Sequence, residues 1–160
     1  MSREPTVHVH VHLVMAGTFP LRVADLLCTD DELLVPEYEF LTPFALARGK
    51  VETVSRTAAE IYEDGGVRGL LDAAEQTHRL TYDEVRTVRV YDGGRFGRPK
   101  VAVDAGDGPP YAYRIHAPVD LPALTTALDS LGDRRGFAVE SVGGAGFHPL
   151  ASLRRFLADR

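Results

Sequence analysis

Residues 7–13 alternate between aliphatic side chains and histidines, in the order Val-His-Val-His-Val-His-Leu. Successive side chains of a β-strand point to opposite faces, so this segment predicts a strand with His8, His10 and His12 on one face and aliphatic groups on the other. Half of the six histidines in the chain therefore share one surface. Such a face can hold a divalent metal ion, or it can be the solvated side of a half-buried strand.

The composition indicates an ordinary globular protein. The chain has 160 residues, of which 44% are hydrophobic and 26% charged. A single domain of that length buries roughly 70% of the surface that its unfolded form exposes, so we expect one domain over residues 1–160. The formal net charge of -5 disfavours binding to nucleic acid or to anionic lipid over the whole surface.

Three features predict a cytoplasmic protein. The N-terminus carries no apolar signal core, and no run approaches the roughly 20 apolar residues that cross a bilayer. The single cysteine, Cys28, has no partner within the chain. It lies in an apolar alternating run, as expected of a buried thiol in a reducing compartment.

The segment after the histidine strand predicts a β-hairpin. Strand-like residues 22–29 and 32–40 flank the turn signal Asp30-Asp31. Proline cannot donate a hydrogen bond to a neighbouring strand, so Pro36 predicts that the second strand lies at an edge or is interrupted.

A helical period follows the hairpin. Apolar residues recur at intervals of three, four and seven between residues 51 and 62, and Thr42 and Pro43 suit the first turn of a helix. Gly65-Gly66 predicts a break, with a second helix from residue 67 to about 77.

The second half of the chain predicts an antiparallel meander of three strands, then a helix, a strand and a short amphipathic helix. The three strands of the meander are expected over residues 84–91, 100–104 and 111–116. The helix is expected over 118–131, the next strand over 136–142 and the short helix over 150–158. The predicted fold class is α+β, a mainly antiparallel, partly open β-barrel or strongly bent sheet of about six to seven strands. It has a helical insertion and a closing C-terminal helix.

Parts of both halves resemble bacterial and archaeal pleckstrin-homology-like domains. The phrase Leu-Thr-Tyr-Asp-Glu-Val at residues 80–85 enters a strand, as in the second half of those domains, and residues 120–131 are similar to the helix that plugs their open barrel. The hairpin at residues 23–35 is similar to their first half. The resemblance covers about two thirds of the chain, with a helical insertion at 42–79 and a strand–helix extension at 136–160.

The resemblance implies a non-enzymatic binding module. Members that bind phosphoinositides carry clustered lysines and arginines in the first inter-strand loop, whereas residues 15–21 contain none. Phosphoinositide or membrane binding is therefore not supported. Many other members bind peptides or protein surfaces, so we expect a protein partner or a second copy of the chain, bound through an exposed strand edge or the helical insertion.

The histidine strand provides the alternative, a small metal-binding protein or metalloenzyme. Zinc takes four tetrahedral ligands. Histidines two apart on a strand leave the same face about 7 Å apart, whereas His8 and His12 are separated by about 13 Å. We therefore expect two adjacent histidines and a distant third ligand, for which His116, on a predicted strand, is the best candidate. Apart from such a divalent ion, no cofactor is expected.

The most basic region surrounds a glycine-rich turn. Arg95, Phe96, Gly97 and Arg98 place an aromatic ring between two guanidinium groups, with Lys100 close behind. This composition suits phosphate or nucleic-acid contact, although interleaved acidic residues make a solvated charged face the alternative. An exposed loop favours contact with a partner over catalysis.

The sequence does not support nucleophilic catalysis. No nucleophile-elbow sequence surrounds the serines, and Cys28 has no neighbouring histidine in the chain. No acidic residue close in sequence to the histidine strand completes a known metalloenzyme motif. This absence of an elbow sequence applies to Ser55, Ser130, Ser141 and Ser152.

Overall fold

The computed structural model describes residues 4–17, 21–41 and 47–144. These residues form eight β-strands and two long α-helices. In chain order they are β1 Val7–Ala16, β2 Leu21–Thr29, β3 Glu32–Leu41, α1 Lys50–Ala73, β4 Gln76–Thr81, β5 Val85–Tyr91, β6 Lys100–Ala105, β7 Tyr111–Ile115, α2 Leu121–Arg135 and β8 Ala138–Val142.

All eight strands belong to one sheet, in the order β4-β3-β2-β1-β7-β6-β5-β8. Every neighbouring pair is antiparallel except β5 and β8, which run parallel. The expected α+β class and mainly antiparallel sheet are confirmed. The expected strand count is too low, because β4 at one edge of the sheet was not predicted, whereas β8 at the other edge corresponds to the strand expected over 136–142. Since these two edge strands do not pair with each other, the described sheet is not closed into a barrel.

The main hydrophobic core lies between one face of the sheet and α2. Val9 and Val11 of the histidine strand point into this core together with Leu128 and Leu131 of α2. The predicted aliphatic face is confirmed for these two valines, whereas Val7 and Leu13, at the two register shifts of β1, pack in other clusters. Burying one such side chain stabilises a fold by about 1.5–3 kcal/mol.

Helix α1 packs against the opposite face of the sheet. Leu27 of β2 and Leu34 of β3 contact Val67 and Leu70 of α1 in a second apolar cluster. Every residue of β2 is consequently buried. The helical insertion therefore covers the face of β1 and β2 that carries the histidines.

Helix α1 begins after Gly49 and has non-helical dihedral angles at Gly66, where φ is 59° and ψ is -150°. The break predicted at Gly65-Gly66 is therefore present. Thr42 and Pro43, the predicted first turn, lie outside the described residues, as does the helix predicted over 150–158. Within the described residues, neither helix has the length and apolarity to span a membrane.

Helix α1 ends earlier than the sequence predicted, because the chain turns into a strand. Helix was expected to about residue 77, whereas β4 has already begun there. His78 and Leu80 are buried while the residues beside them are more exposed, which is the period-two pattern of a strand. The helical insertion therefore ends at Ala73 rather than at residue 79.

The expectation that Pro36 lies at a sheet edge is wrong. β3 lies between β2 and β4, and Pro36 pairs with Thr77 of β4. β3 does carry a bulge at Tyr38, where the register of its pairing with β2 shifts between Val23 and Ala24.

The predicted meander and closing helix are confirmed as β5, β6, β7 and α2. Asp120 caps α2 by accepting a hydrogen bond from the Ala123 N–H at 2.9 Å. The helix continues past its predicted end at residue 131 and stops where Gly136 adopts φ 87°, a left-handed conformation that favours glycine.

Two glycine substitutions test the packing of the helices. A Cβ added to Gly132 of α2 would lie 2.5 Å from the carbonyl oxygen of Phe137, whereas a Cβ on Gly65 of α1 meets nothing within 4 Å. We expect Gly132→Ala to lower the free energy of unfolding by about 1–3 kcal/mol through overpacking. Gly65→Ala should raise it by about 0.5–1 kcal/mol through helix propensity. Urea denaturation measures both, and a stabilised Gly132→Ala would contradict the packing of α2 on Phe137.

Candidate functional site

A β-bulge in the histidine strand shapes the candidate site. The register of β1 against β2 shifts between Val11 and Val14, so that two residues of β1, His12 and Leu13, face the single residue Asp25 of β2. Leu13 adopts φ 53°, in a left-handed region that residues other than glycine rarely occupy. Bulges re-aim side chains and are over-represented beside active sites.

Asp25 is the centre of the site. Its side chain is 1% exposed, and its carboxylate accepts hydrogen bonds from His10 Nε2 at 2.8 Å, His12 Nδ1 at 2.9 Å and the Leu13 N–H at 2.9 Å. These contacts offset the desolvation of the buried charge. One potential ligand atom from each of His10, His12 and Asp25 lies within 4.8 Å of the other two.

Helix α1 covers this group. Ser55 Oγ lies 2.9 Å from His12 Nε2, and the Tyr62 ring lies 4.7 Å from the His10 ring. Ser55 and Tyr62 are about two helical turns apart, so they share one face of α1. From the sheet, Tyr38 contributes a buried Oη that lies close to the Asp25 carboxylate.

The hydrogen bonds change the titration of the group. Burial raises the pKa of Asp25, but the hydrogen bonds from His10 and His12 outweigh it and lower the pKa to about 2. The hydrogen bond to Asp25 raises the pKa of His12, against the opposing effect of burial. Burial, and then the charge of Asp25, raises the pKa of Tyr38. Because its pKa is depressed below 3.8, Asp25 contributes stability that is present at neutral pH and lost as the pH falls towards 2.

The group suits a divalent metal ion. Two imidazoles and one carboxylate are a known ligand set for zinc and for iron(II), with positions left open for water or substrate. Asp25 is ionised at neutral pH, as a ligand must be. Ser55 would hold the His12 ring from its other nitrogen, as outer partners of metal-bound histidines do.

The hydrogen bonds from Ser55 to His12 and on to Asp25 also follow the order of a serine hydrolase triad. Acyl transfer requires, in addition, free donors facing the developing oxyanion. Ser55 lies in the second turn of α1, where the backbone N–H groups are used within the helix. We therefore interpret Ser55 as the residue that orients the His12 ring. Sequence reasoning missed this contact because Ser55 lies outside any elbow motif and 43 positions from His12.

The other histidines that the structure describes have separate surroundings. His8 Nε2 lies 2.7 Å from Asp30 Oδ1 at the end of the strand, and His78 Nε2 lies 3.1 Å from the buried Glu37. His116 donates its backbone N–H to the Leu13 carbonyl, but among the described residues it is not part of the potential ligand group. The potential third ligand that the structure brings to His10 and His12 is Asp25 and not the expected His116.

The basic candidates divide between a turn and the sheet. Phe96 is 99% exposed, and Arg95 and Arg98 beside it are also exposed. Lys100, in contrast, is only 8% exposed, and its Nζ lies 4.4 Å from the centre of the Tyr91 ring. Arg95, Phe96 and Arg98 are therefore exposed together on the turn. Lys100 is instead a buried residue on one face of the sheet.

Comparison with known proteins adds a likeness of fold. No protein-family profile matches the chain, and no curated protein matches it. Among solved structures, the chain is similar to the hSac2 domain from the human phosphoinositide phosphatase Sac2, with a TM-score of 0.54. The match covers 92% of this chain and 84% of that one at 10% sequence identity. At this identity the likeness concerns the fold alone.

Asp25→Asn tests the electrostatics of the site. We expect the pKa of His12 to fall, because the hydrogen bond that raises it is weakened while the burial that lowers it remains. We also expect the free energy of unfolding at pH 7 to fall by about 2–4 kcal/mol, since buried partners lose their acceptor. NMR titration of the histidine ring protons and urea denaturation measure the two effects.

Asp30→Asn is the matched control, because Asp30 pairs with His8 at an exposed position. It should leave the titration of His12 and the stability almost unchanged. An unaltered pKa of His12 in Asp25→Asn would contradict the geometry of the site.

Proposed function

We propose that this chain is a non-enzymatic, cytoplasmic module of pleckstrin-homology-like type that binds an acidic segment of a protein partner through the turn between β5 and β6. The observation that carries the proposal is the exposure of Phe96. Its side chain is 99% exposed, and it is the only large hydrophobic residue in this state among residues 4–17, 21–39 and 47–144. Moving such a ring from water into an apolar contact is worth about 1.5–3 kcal/mol.

The turn that carries Phe96 is structured. The Gly97 N–H donates to the Gly93 carbonyl at 2.8 Å. Asp92 Oδ1 accepts hydrogen bonds from the N–H groups of Gly94 and Gly144, both at 2.8 Å. A turn already held in place loses less conformational entropy on binding than a flexible one.

The charge around Phe96 favours an acidic partner. Arg95 and Arg98 flank the ring, and neither is in an ion pair with another described residue. Arginine forms bidentate hydrogen bonds with carboxylates. An acidic segment with an apolar pocket would therefore complement both features of the turn.

A photoreactive phenylalanine analogue at position 96 tests the proposal in the host cell. We expect it to crosslink to an acidic segment of one protein, and a synthetic peptide of that segment to bind the purified chain. Phe96→Ala should weaken peptide binding about tenfold or more. Arg95→Ala should weaken binding and make it less sensitive to salt.

Arg86→Ala is the matched control, because Arg86 is an exposed arginine on β5 that pairs with Asp107. It should bind the peptide as the wild type does. Equal binding by Phe96→Ala would overturn the proposal. Two results together would show that the turn binds a second copy of the chain instead of a different protein. These are crosslinks between two copies, and dimers in sedimentation that Phe96→Ala abolishes.

A second candidate function is metal binding by His10, His12 and Asp25, in a small metal-binding protein or metalloenzyme. The observation that favours it is the approach of three potential ligand atoms to within 4.8 Å of one another.

Zinc titration of tag-free protein against a chelating dye tests this second candidate. We expect one zinc per chain, and affinity reduced at least about tenfold in His10→Ala and Asp25→Asn, since even an outer-shell change costs that much. His8→Ala is the control and should bind zinc normally, because His8 pairs with Asp30 outside the group. Equal zinc affinity in the wild type and His10→Ala, or no binding at all, would exclude the candidate.

A further inference from the structure

Two cations face each other on neighbouring strands. Lys100 of β6 pairs in register with Arg114 of β7. Directly opposite residues in a sheet share one face, and like charges in this position destabilise the pair. Val101 and Ile115 belong to the main core, so alternation puts Lys100 and Arg114 on the other face of the sheet.

No described carboxylate compensates this pair. Lys100 contacts the Tyr91 ring, and Arg114 Nη2 donates to the Gly17 carbonyl at 2.8 Å. Elsewhere in the sheet, cations are paired, as Arg89 is with Asp104 and Glu140.

Two further groups border this cation pair: Arg98, which adds a third positive charge, and His116, which is neutral at pH 7. His116 follows Arg114 on the same face, and its Nε2 is buried without a hydrogen-bond partner in the described part of the chain. Arg98 lies next to this part of β7, because the Ile115 N–H donates to the carbonyl of the neighbouring Pro99 at 2.8 Å. After burial, the charge of Arg98 lowers the pKa of Arg114. Burial, then the charges of Arg98 and Arg114, lowers the pKa of His116 to about 4. The positive charge of Arg114 is thus disfavoured by burial and by Arg98, and a bound anion would reduce that cost.

We propose that Arg98, Lys100, Arg114 and His116 form a binding site for a phosphate group. Three cations suit a doubly charged anion better than a single carboxylate. The planar donors of Arg114 that do not contact Gly17 can form a bidentate pair with phosphate oxygens. Lys100 would act as a point charge, and the unpartnered His116 nitrogen would gain a partner. The phosphate can belong to a small molecule or to a phosphorylated side chain.

This inference is separable from the proposed partner of the turn, although both involve Arg98. Phe96→Ala removes the apolar tip of the turn and leaves the phosphate site intact. If the partner proposal is wrong, Phe96→Ala binds the acidic peptide as tightly as the wild type does. If the phosphate site is wrong, Lys100→Met binds inorganic phosphate as tightly as the wild type does.

Lys100→Met provides the main test, because it keeps the apolar stem that lies on Tyr91. In chloride buffer we expect this variant to have a higher melting temperature than the wild type, since the repulsion with Arg114 is removed. Inorganic phosphate at constant ionic strength should raise the melting temperature of the wild type but not of Lys100→Met. Calorimetry should show phosphate affinity reduced at least about tenfold.

Arg98→Ala, at an exposed position, is a second variant that keeps the test valid if Lys100→Met does not fold, and it should also weaken phosphate binding. Arg86→Met is the control and should respond to phosphate as the wild type does. The inference is overturned if phosphate has no effect beyond chloride, if acetate acts equally, or if both site variants respond normally. Tighter binding of a phosphoserine peptide than of inorganic phosphate would assign the site to a phosphorylated protein. Weaker binding of the peptide than of inorganic phosphate would assign the site to a phosphorylated small molecule.

Discussion

The hydrogen bonding of Asp25 is the interaction on which the arrangement of β1, β2 and α1 depends. A carboxylate that is 1% exposed needs several donors, and the structure supplies them from His10, His12 and the Leu13 N–H. The bulge brings two of these donors opposite one acceptor. Through His12 the network reaches Ser55, so the buried charge also positions the helical insertion.

Burial on both faces explains why the candidate site lies where it does. The core and α2 cover one face of β2, and α1 covers the other. Polar side chains directed at α1 therefore leave water and must satisfy each other, which brings His10, His12 and Asp25 together. The same enclosure would keep a bound ion in a water-poor environment, where its electrostatic effect on a ligand is large.

The distribution of charge matters more than the total. The chain has a net charge of -5, yet Lys100 and Arg114 oppose each other on adjacent strands. Screening and solvent make isolated surface charges nearly neutral in their effect on stability. Partly buried charges such as Lys100 and Arg114 are screened much less. Their mutual repulsion therefore remains unless an anion compensates it.

Local sequence patterns by themselves determined the histidine strand, the first hairpin, the meander and the closing helix, because each depends on residues only a few positions apart. They also put His8, His10 and His12 on one face. Only the tertiary structure decided that two of these histidines meet Asp25, that β4 replaces the end of a predicted helix and encloses Pro36, and which cations face each other. The physical reason is that pairing register and helix packing result from burying whole faces of distant elements, which no short segment encodes.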